Sequence, residues 1–440
     1  MIMNFKYTIL WLMLLPAALF AETDLRPSID QDYPYLESLY LHLHRNPELS
    51  FHEKNTSARI ANELRQAGFD VTEHVGGFGV VGIMRNGAGP TVLLRTDMDA
   101  LPVKEMTDLS YASKVKTIDD QGNEVSVMHA CGHDIHMSVF IGTARRLKAM
   151  RNQWRGTVVM IGQPAEERGA GARAMLKDGL FSRFPRPDYN LGLHDKADAP
   201  AGIIQYVSGY AMANVDSVDI TVHGVGGHGA YPNLTKDPIV LSAQIINSLQ
   251  TLVSREIPPI EAGVVTVGSI HGGTKHNIIP DEVRMQLTVR SYTDAVRNQL
   301  LNGIKRIAQY QAQAMGIPED KLPEVTVEDE HTPALYNDPE LTKRMVAVLK
   351  RKLGDARVTE TGPVMGGEDF SEYGRVEPRI PSVFLWLGAV APDKYQQSIA
   401  NGTPLPSLHS PLFAPLPKPT IETGVEAMTT MALELLGKNS

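Results

Sequence analysis

The run TVVMIGQPAEE, from Thr157 to Glu167, joins an apolar stretch to a pair of carboxylates. Its first six residues, Thr157–Gly162, have the length and composition of a buried central strand. Glu166 and Glu167 then stand at the carboxyl end of that strand, where open α/β sheets gather their ligands. One carboxylate can bind a metal ion while the other acts as a general base toward water. Taken alone, the run would favour a strand followed by a solvated acidic turn.

Two further apolar runs predict strands in the same sheet, and helical patterns lie between them. The strands are expected at Thr91–Arg95 and Tyr189–Leu193, and the helices at Ile135–Met150 and Gly169–Asp178. Alternating strands and helices between about residues 30 and 210 predict an α/β architecture with a largely parallel sheet.

The pattern changes between residues 212 and 329, where apolar and polar residues alternate strictly. Val218, Ile220 and Val222 alternate with polar residues, which is typical of a half-buried strand. Helices are expected from Pro238 and after Asp294, and the full order reads β-α-β-β-α-β. That order predicts a ferredoxin-like fold.

Helical and strand patterns return after residue 330, with a helix at Pro339–Leu353, a strand at Pro381–Leu387 and a final helix at Thr420–Leu436. If these elements complete the first sheet, residues 212–329 are an insertion. The chain then has one catalytic domain, formed by residues 22–211 and 330–440, and one inserted domain.

The overall charge argues against nucleic acid as a partner. The chain has 42 Lys and Arg against 50 Asp and Glu residues, a net charge of −8. Contact with phosphate backbones needs a basic excess that this chain lacks. Cys131 is the only cysteine, so an intramolecular disulfide is excluded.

The first 21 residues have the layout of a cleaved signal peptide. Lys6 precedes the apolar stretch Tyr7–Phe20, and Ala21 is the expected cleavage site. A membrane anchor is the alternative, but the stretch is shorter than the roughly 18 to 20 apolar residues that cross a bilayer. We therefore expect an exported protein, periplasmic or secreted, without a stable membrane span.

Candidate metal ligands gather in a second motif, MHACGHDIH, at Met128–His136. Cys131 and His133 lie two residues apart on the turn into a helix, so both can face one cation, and the helix N-terminus favours the thiolate. A buried structural cysteine beside exposed histidines is the alternative.

Two more histidines follow in LGLHD and LHSP, namely His194 and His409. Asp97 and Asp99 follow the strand expected at Thr91–Arg95. The candidate groups are therefore expected together at one edge of the sheet. The mixture of sulfur, nitrogen and oxygen donors favours Zn²⁺ or Mn²⁺ over Mg²⁺ or Ca²⁺. Five ligands exceed one tetrahedral site, which favours a pair of ions.

The sequence resembles the co-catalytic metallopeptidase family of aminoacylase, hippurate hydrolase, bacterial carboxypeptidase G2 and the plant indoleacetyl-amino-acid hydrolases. The amidohydrolase branch is the most similar. Besides ACGHD and QPAEE, the resemblance rests on LHRNPELSFHE (Leu43–Glu53), RTDMDALP (Arg95–Pro102), GGHGAYP (Gly226–Pro232), NIIPDEVR (Asn277–Arg284), GGEDF (Gly366–Phe370) and HSP (His409–Pro411).

The resemblance implies two divalent metal ions per subunit, Zn²⁺ or Mn²⁺, with Co²⁺ or Ni²⁺ as further options. Cys131 would stand where relatives use a bridging carboxylate, Glu166 would be the general base, and Asp99 would orient a ligand. The implied metal ligands are Cys131, His133, Glu167, His194 and His409.

The resemblance also implies a mixed-sheet, zinc-peptidase-like catalytic domain with an inserted lid that forms a homodimer. His228 would reach the neighbouring subunit's active site and stabilise the oxyanion. Asn277 and Arg290 would approach the substrate, Arg290 as a carboxylate clamp. Asn233 and Asp195 depart from the family pattern and leave the substrate's identity open.

The expected reaction is hydrolysis of the amide bond of an N-acyl amino acid or small peptide-like conjugate. The nucleophile would be a water molecule held by the metal pair, with Glu166 as its general base. The alternatives are a dipeptidase or carboxypeptidase of the same family, a thiol hydrolase with Cys131 as nucleophile, and a non-catalytic exported protein that binds amino-acid conjugates.

Overall fold

The computed structural model describes residues 24–438, so the predicted signal peptide, residues 1–21, lies outside the described residues. None of the helices in that range is long and apolar enough to cross a membrane. The α-helices are α1 (Arg26–Arg45), α2 (Lys54–Gln66), α3 (His133–Ala149), α4 (Gly171–Lys177), α5 (Leu180–Arg183), α6 (Pro238–Thr251), α7 (Asp294–Ala314), α8 (Pro339–Leu353), α9 (Ser371–Arg375), α10 (Pro392–Asn401) and α11 (Pro417–Leu435).

The strands form one large mixed sheet, one four-stranded sheet and three short two-stranded ladders. They are β1 (Asp70–Val75), β2 (Gly79–Asn86), β3 (Thr91–Asp97), β4 (Lys116–Ile118), β5 (Glu124–Ser126), β6 (Trp154–Gln163), β7 (Tyr189–Pro200), β8 (Ile204–Tyr206), β9 (Gly209–Met212), β10 (Asn214–His223), β11 (Gly227–His228), β12 (Gly263–Gly272), β13 (Ile278–Ile279), β14 (Glu282–Ser291), β15 (Glu324–Thr332), β16 (Leu335–Asn337), β17 (Val358–Glu360), β18 (Ser382–Val390) and β19 (Gly437–Lys438).

The large sheet has the strand order β1-β2-β6-β3-β7-β18-β8-β17, with β19 paired to β6. Strands β6, β3, β7 and β18 are mutually parallel and form its centre. Strands β1 and β2 are antiparallel additions on one side, which makes the sheet mixed. Parallel strands bring their carboxyl ends to one edge, and the candidate site lies there.

Helices cover both faces of this sheet because alternate residues of its strands point to opposite sides. On β6, Val158 and Met160 join the core formed with α1, α2, α3, α8 and α11. Val159 and Ile161 join the opposite core, which includes Met175 of α4 and residues of α5 and α9.

Residues 214–332 contain the second sheet, with antiparallel strand order β12-β14-β10-β15 and helices α6 and α7. The four strands of this sheet and its two helices follow one another as β-α-β-β-α-β, and the short strands β11 and β13 between them form a separate ladder. Val218, Ile220 and Val222 of β10 are buried, as the alternating pattern predicted. Asp237 caps α6, because its side chain accepts hydrogen bonds from the backbone N–H groups of Ile239 and Val240.

The chain passes between the two sheets through a two-stranded ladder. It leaves the large sheet along β9 and returns along β16, and these strands pair antiparallel, with Tyr210 opposite Tyr336. The two segments by which the chain crosses between the sheets are therefore hydrogen-bonded to each other.

The structure differs from the sequence-based expectations at two strands near the site. His194 lies within β7 rather than at its end, because β18 pairs alongside β7 as far as Pro200. Cys131 and His133 follow no strand of the large sheet. They follow the small hairpin β4–β5 and an isolated bridge between Leu101 and Met128, and His133 begins α3.

Candidate metal centre and active site

Five side chains predicted to bind metal converge at one edge of the large sheet. The Cys131 Sγ atom lies 3.3 Å from His194 Nε2 and 3.2 Å from His409 Nε2. Glu167 Oε2 lies 3.4 Å from His409 Nε2, and Glu167 Oε1 lies 3.8 Å from His133 Nε2. Residues far apart in the chain thus present sulfur, nitrogen and oxygen donors to one small volume.

The turn that carries Cys131 and His133 depends on a glycine between them. Gly132 has φ of 75°, which favours glycine, and a Cβ atom there would lie 2.0 Å from Asp195 Oδ2. His409 also has a positive φ, 66°, and its backbone N–H donates a 2.9 Å hydrogen bond to the Ala130 carbonyl. The loop after α10 is therefore held against this turn.

Two imidazoles are oriented by hydrogen bonds from the nitrogen that faces away from the cluster. His133 Nδ1 lies 2.8 Å from the Asp99 carbonyl oxygen, and His194 Nδ1 lies 2.7 Å from the Asp195 carbonyl oxygen. Because these oxygens are acceptors, the ring proton lies on Nδ1. The lone pair of Nε2 is then available to bind a metal ion, as in metal-bound histidines.

The Asp99 side chain contacts the site mainly through the backbone of Glu167. Its Oδ2 atom accepts hydrogen bonds from the Glu167 N–H, at 3.0 Å, and from Ser50 Oγ, at 2.6 Å. Its Oδ1 atom lies 3.4 Å from His133 Nδ1. The carboxylate therefore lies between two of the candidate ligands, and its main-chain carbonyl makes the shorter contact to His133.

The donor set fits a pair of divalent cations. His133 Nε2 and Glu167 Oε1 are buried and have no hydrogen-bond partner among the described residues, which is costly unless another group binds them. Two triads of donor atoms within 4.8 Å of one another share Cys131. One triad adds His133 and His194 to the thiol, and the other adds Glu167 and His409.

Burial and neighbouring charges alter the acidity of the site. Burial, followed by the negative charges of Glu368 and Glu167, raises the pKa of Glu166 well above its usual range. Burial raises the pKa of Glu167 to about 7. Burial and the charge of Glu167 raise the pKa of the Cys131 thiol. A site that resists negative charge in this way is matched to positively charged ligands.

A buried ion network that the sequence analysis did not identify lies behind Glu166. Arg95 is buried and its guanidinium lies 2.7 Å from Asp97 Oδ2, 2.8 Å from Glu368 Oε1 and 3.1 Å from Asp369 Oδ1. The motifs RTDMDALP and GGEDF contain these residues, but their pairing across the chain has no local signal.

His136 is a second functional candidate that the sequence analysis did not assign. It is buried, with Nδ1 2.7 Å from Asp97 Oδ1 and Nε2 3.3 Å from Asp195 Oδ1. The same Asp195 Oδ1 atom lies 3.1 Å from His194 Nδ1. The three-residue spacing from His133 on α3 was a usable signal, since it places both rings on one helix face.

Four of the donors, Cys131, Glu167, His194 and His409, line a cavity of about 610 Å³ that both sheets border, and His133 is buried beside them. Arg290 of β14 lies on another wall, where its side chain donates hydrogen bonds to the Met365 carbonyl oxygen and Thr288 Oγ1. It forms no ion pair with a described residue, and burial lowers its pKa. A half-buried, unpaired guanidinium at a cavity wall is suited to a carboxylate.

The structure does not bring His228 and Asn277 to this cavity. His228 is exposed in β11, where Ile278 is its partner in β13. The Asn277 carbonyl oxygen accepts a hydrogen bond from the Gly229 N–H. Both residues therefore lie together in the part of the chain that carries the second sheet, and neither lines the cavity formed within one chain.

Comparison with known proteins identifies similar chains. The model of peptidase family M20/M25/M40 matches residues 93–405. Thermostable carboxypeptidase 2 of Saccharolobus solfataricus is 39% identical over 350 residues, covering 79% of this chain and 84% of that protein. The IAA-amino acid hydrolase ILR1-like 2 of Arabidopsis thaliana is 34% identical over 394 residues, covering 90% and 83%.

A solved structure agrees with these matches. The YXEP protein of Bacillus subtilis, described as a dinuclear metal binding peptidase from the M20 family, superposes with a TM-score of 0.73 at 30% identity. The alignment covers 92% of this chain and all of that one.

Proposed function

The chain belongs to peptidase family M20/M25/M40 and is a metal-dependent amide hydrolase, and from this premise we propose that it cleaves N-acyl amino acids or small peptide-like conjugates. The observation that carries the proposal is the cluster of five donors, four of which line one cavity together with Glu166 and Arg290. Those donors, Cys131, His133, Glu167, His194 and His409, would hold two ions, Zn²⁺ or Mn²⁺.

The proposed chemistry divides between the metals and Glu166. When bound, two divalent cations supply positive charge that polarises the scissile carbonyl and acidifies water. Glu166 accepts the proton of the attacking water and returns it to the leaving amine. Asp99 keeps His133 and Glu167 in place through the contacts described above.

The cavity walls support a substrate with an apolar acyl group and a free carboxylate. Met212, Val215 and Trp386 line the cavity together with Leu408. Arg290 supplies a cation for the carboxylate of the amino-acid portion. An N-acyl amino acid combines both features, and the plant relative is named as a hydrolase of such a conjugate.

The second sheet is proposed to be a ferredoxin-like lid, residues 212–329, through which two subunits form a homodimer. Residues 22–211 and 330–440 would form the catalytic domain. His228 and Asn277 are exposed or remote from their own cavity, so they would act at the partner subunit's site. There His228 would donate a hydrogen bond to the oxyanion of the tetrahedral intermediate.

We also propose export after cleavage behind Ala21, on the pattern of the first 21 residues. Mass spectrometry of protein recovered from the periplasm or medium should show a new N-terminus at Glu22. An intact Met1 on the exported protein would contradict cleavage.

Cleavage of dipeptides or of C-terminal residues is the second candidate, favoured by the similarity to a thermostable carboxypeptidase. The test is a panel of N-acyl amino acids, dipeptides and longer peptides assayed with the metal-loaded protein. The proposal requires the highest kcat/KM among N-acyl amino acids. A preference for dipeptides or peptides by tenfold or more would favour the second candidate.

The role of Glu166 is tested by Glu166→Gln, which keeps the size of the side chain but cannot accept a proton. Turnover should be lost while both metals stay bound, as measured by metal analysis. The control is Glu426→Gln, which alters a buried carboxyl on α11 that does not line the cavity. Full activity in Glu166→Gln would refute the assignment, and loss of metal would indicate that Glu166 is a ligand.

Two other functions make different predictions for the same protein. A thiol hydrolase with Cys131 as nucleophile would survive removal of metals by chelators and would be inactivated by thiol alkylation. A non-catalytic binding protein would bind N-acyl amino acids without turnover in any metal form. Turnover that is lost on chelation and restored by metal would exclude both.

A further inference from the structure

A second cavity, of about 450 Å³, lies beside the two-stranded ladder that joins the sheets. We call it the hinge cavity. Its walls include β9 and β16, the first residue of α7, α9 and the start of β18. It shares no lining residue with the active-site cavity, so the proposed reaction does not use it.

One wall of the hinge cavity is aromatic and its neighbouring surface is apolar. The rings of Tyr210 and Tyr336 meet edge to face, with centroids 4.9 Å apart. These side chains remain 37% and 43% exposed, which leaves ring surface open to a ligand. The apolar lining comes from Ala334, Leu335, Ile380 and Pro381.

The polar lining offers donors for an anion. Arg375 Nη2 is 2.8 Å from Asp294 Oδ2, so this guanidinium is already paired. Arg379 is 67% exposed, and the nearest approach of a carboxylate, that of Glu377, is 4.0 Å. Such an exposed pair is weak and leaves the Arg379 charge available.

The hydroxyl of the lining residue Ser371 is not presented to the cavity. Ser371 is 4% exposed, and its Oγ atom is buried and has no hydrogen-bond partner among the described residues. The accessible polar groups for an anion are therefore those of the arginine side chains. Asp338, the other carboxylate of the lining, caps α8 by accepting a hydrogen bond from the Leu341 N–H at Oδ1.

We propose that the hinge cavity is a binding site for a small aromatic carboxylate, separate from the active site. The aromatic ring would pack against Tyr210 and Tyr336, and the carboxylate would accept hydrogen bonds from Arg379. A bound molecule would contact both strands of the ladder, β9 and β16, which are the two segments that connect the sheets.

The test is a titration of the metal-loaded protein with 4-fluorophenylacetate, followed by broadening of its ¹⁹F NMR signal. Parent protein should show saturable binding in the millimolar range or tighter. Arg379→Gln and Tyr336→Ala should each weaken binding about tenfold, because a charge-assisted hydrogen bond or an aromatic wall is lost. Arg344→Gln is the matched control, since Arg344 pairs with Glu434 on a different surface.

Arg290→Gln separates the hinge cavity from the active site. Binding that persists in Arg290→Gln but weakens in Arg379→Gln and Tyr336→Ala supports the proposal. Binding that responds only to Arg290→Gln would assign the probe to the active-site cavity and overturn it. Absence of saturable binding to the parent, or equal affinity in all variants, would overturn it as well.

Discussion

His44 provides a test of how buried charge stabilises this fold. It lies near the end of α1, and its ring contacts two carboxylates on other elements. His44 Nδ1 is 2.6 Å from Asp134 Oδ2, and Nε2 is 3.2 Å from Glu105 Oε1. Burial alone would lower the pKa of His44, but its hydrogen bonds to Asp134 and Glu105 outweigh burial and raise it to about 9.

The raised pKa determines the size and sign of a pH effect on stability. An increase from the ordinary value of 6.5 to about 9 corresponds to about 3 kcal/mol of folding free energy. Because the folded protein holds the proton more tightly, this contribution is complete below pH 6.5. It declines as the pH rises and is lost above pH 9.

The perturbation is His44→Gln, which keeps hydrogen-bonding capacity but has no titrating charge. We would measure the free energy of unfolding by urea at about pH 6 and about pH 9.5. The parent should lose about 3 kcal/mol more than the variant between these values. The difference between the two proteins removes the contributions of groups that both contain.

His52→Gln is the control for this experiment. His52 Nε2 lies 2.9 Å from Asp120 Oδ1, but both side chains are about half exposed, so the pair contributes little. The free energy of unfolding of His52→Gln should depend on pH in the same way as that of the parent. Parallel pH dependence in the parent and in His44→Gln would refute a charged His44 in the folded protein.

Three further predictions concern the active site. Cys131→Ser should weaken metal affinity at least about 100-fold, since a neutral hydroxyl replaces the thiolate that both donor triads share; unchanged metal titrations would contradict this. Arg290→Gln should raise KM for N-acyl amino acids about 10- to 100-fold without a matching rise in KM for substrates whose carboxylate is amidated; an equal rise for both would exclude the clamp. His228→Ala should lower kcat by about 10² with metals retained, and heterodimers of this variant with Glu166→Gln should recover activity; verified heterodimers without activity would exclude catalysis in trans.

Local sequence signals predicted much of the fold. The helix expected at Pro339–Leu353 has those bounds in the structure, because Asp338 caps it and Gly354 follows its last residue. The central strand expected at Thr157–Gly162 is part of β6, Trp154–Gln163. Apolar runs and caps act within a few residues, so one sequence is enough to identify them.

Contacts between distant residues could not be predicted in the same way. Arg95 and Glu368 are 273 positions apart, and only the folded sheet brings them together. The contact of His136 with Asp195, 59 positions away, is similar, because α3 and β7 meet only in the folded protein. The sequence indicated which groups could bind metal. Which hydrogen-bond partners orient those groups depends on tertiary packing.

The position of β18 has a consequence for the order in which the chain can fold. β18 lies between β7 and β8 in the large sheet, although about 175 residues separate it from β8 along the chain. During synthesis, the four strands of the second sheet become available from one continuous stretch of the chain. The large sheet cannot be completed until β18, one of its central strands, has been synthesised. His409 emerges later still, so a nascent or truncated chain cannot assemble the complete set of metal donors. We expect metal capture to be a late event that reports completion of the whole chain.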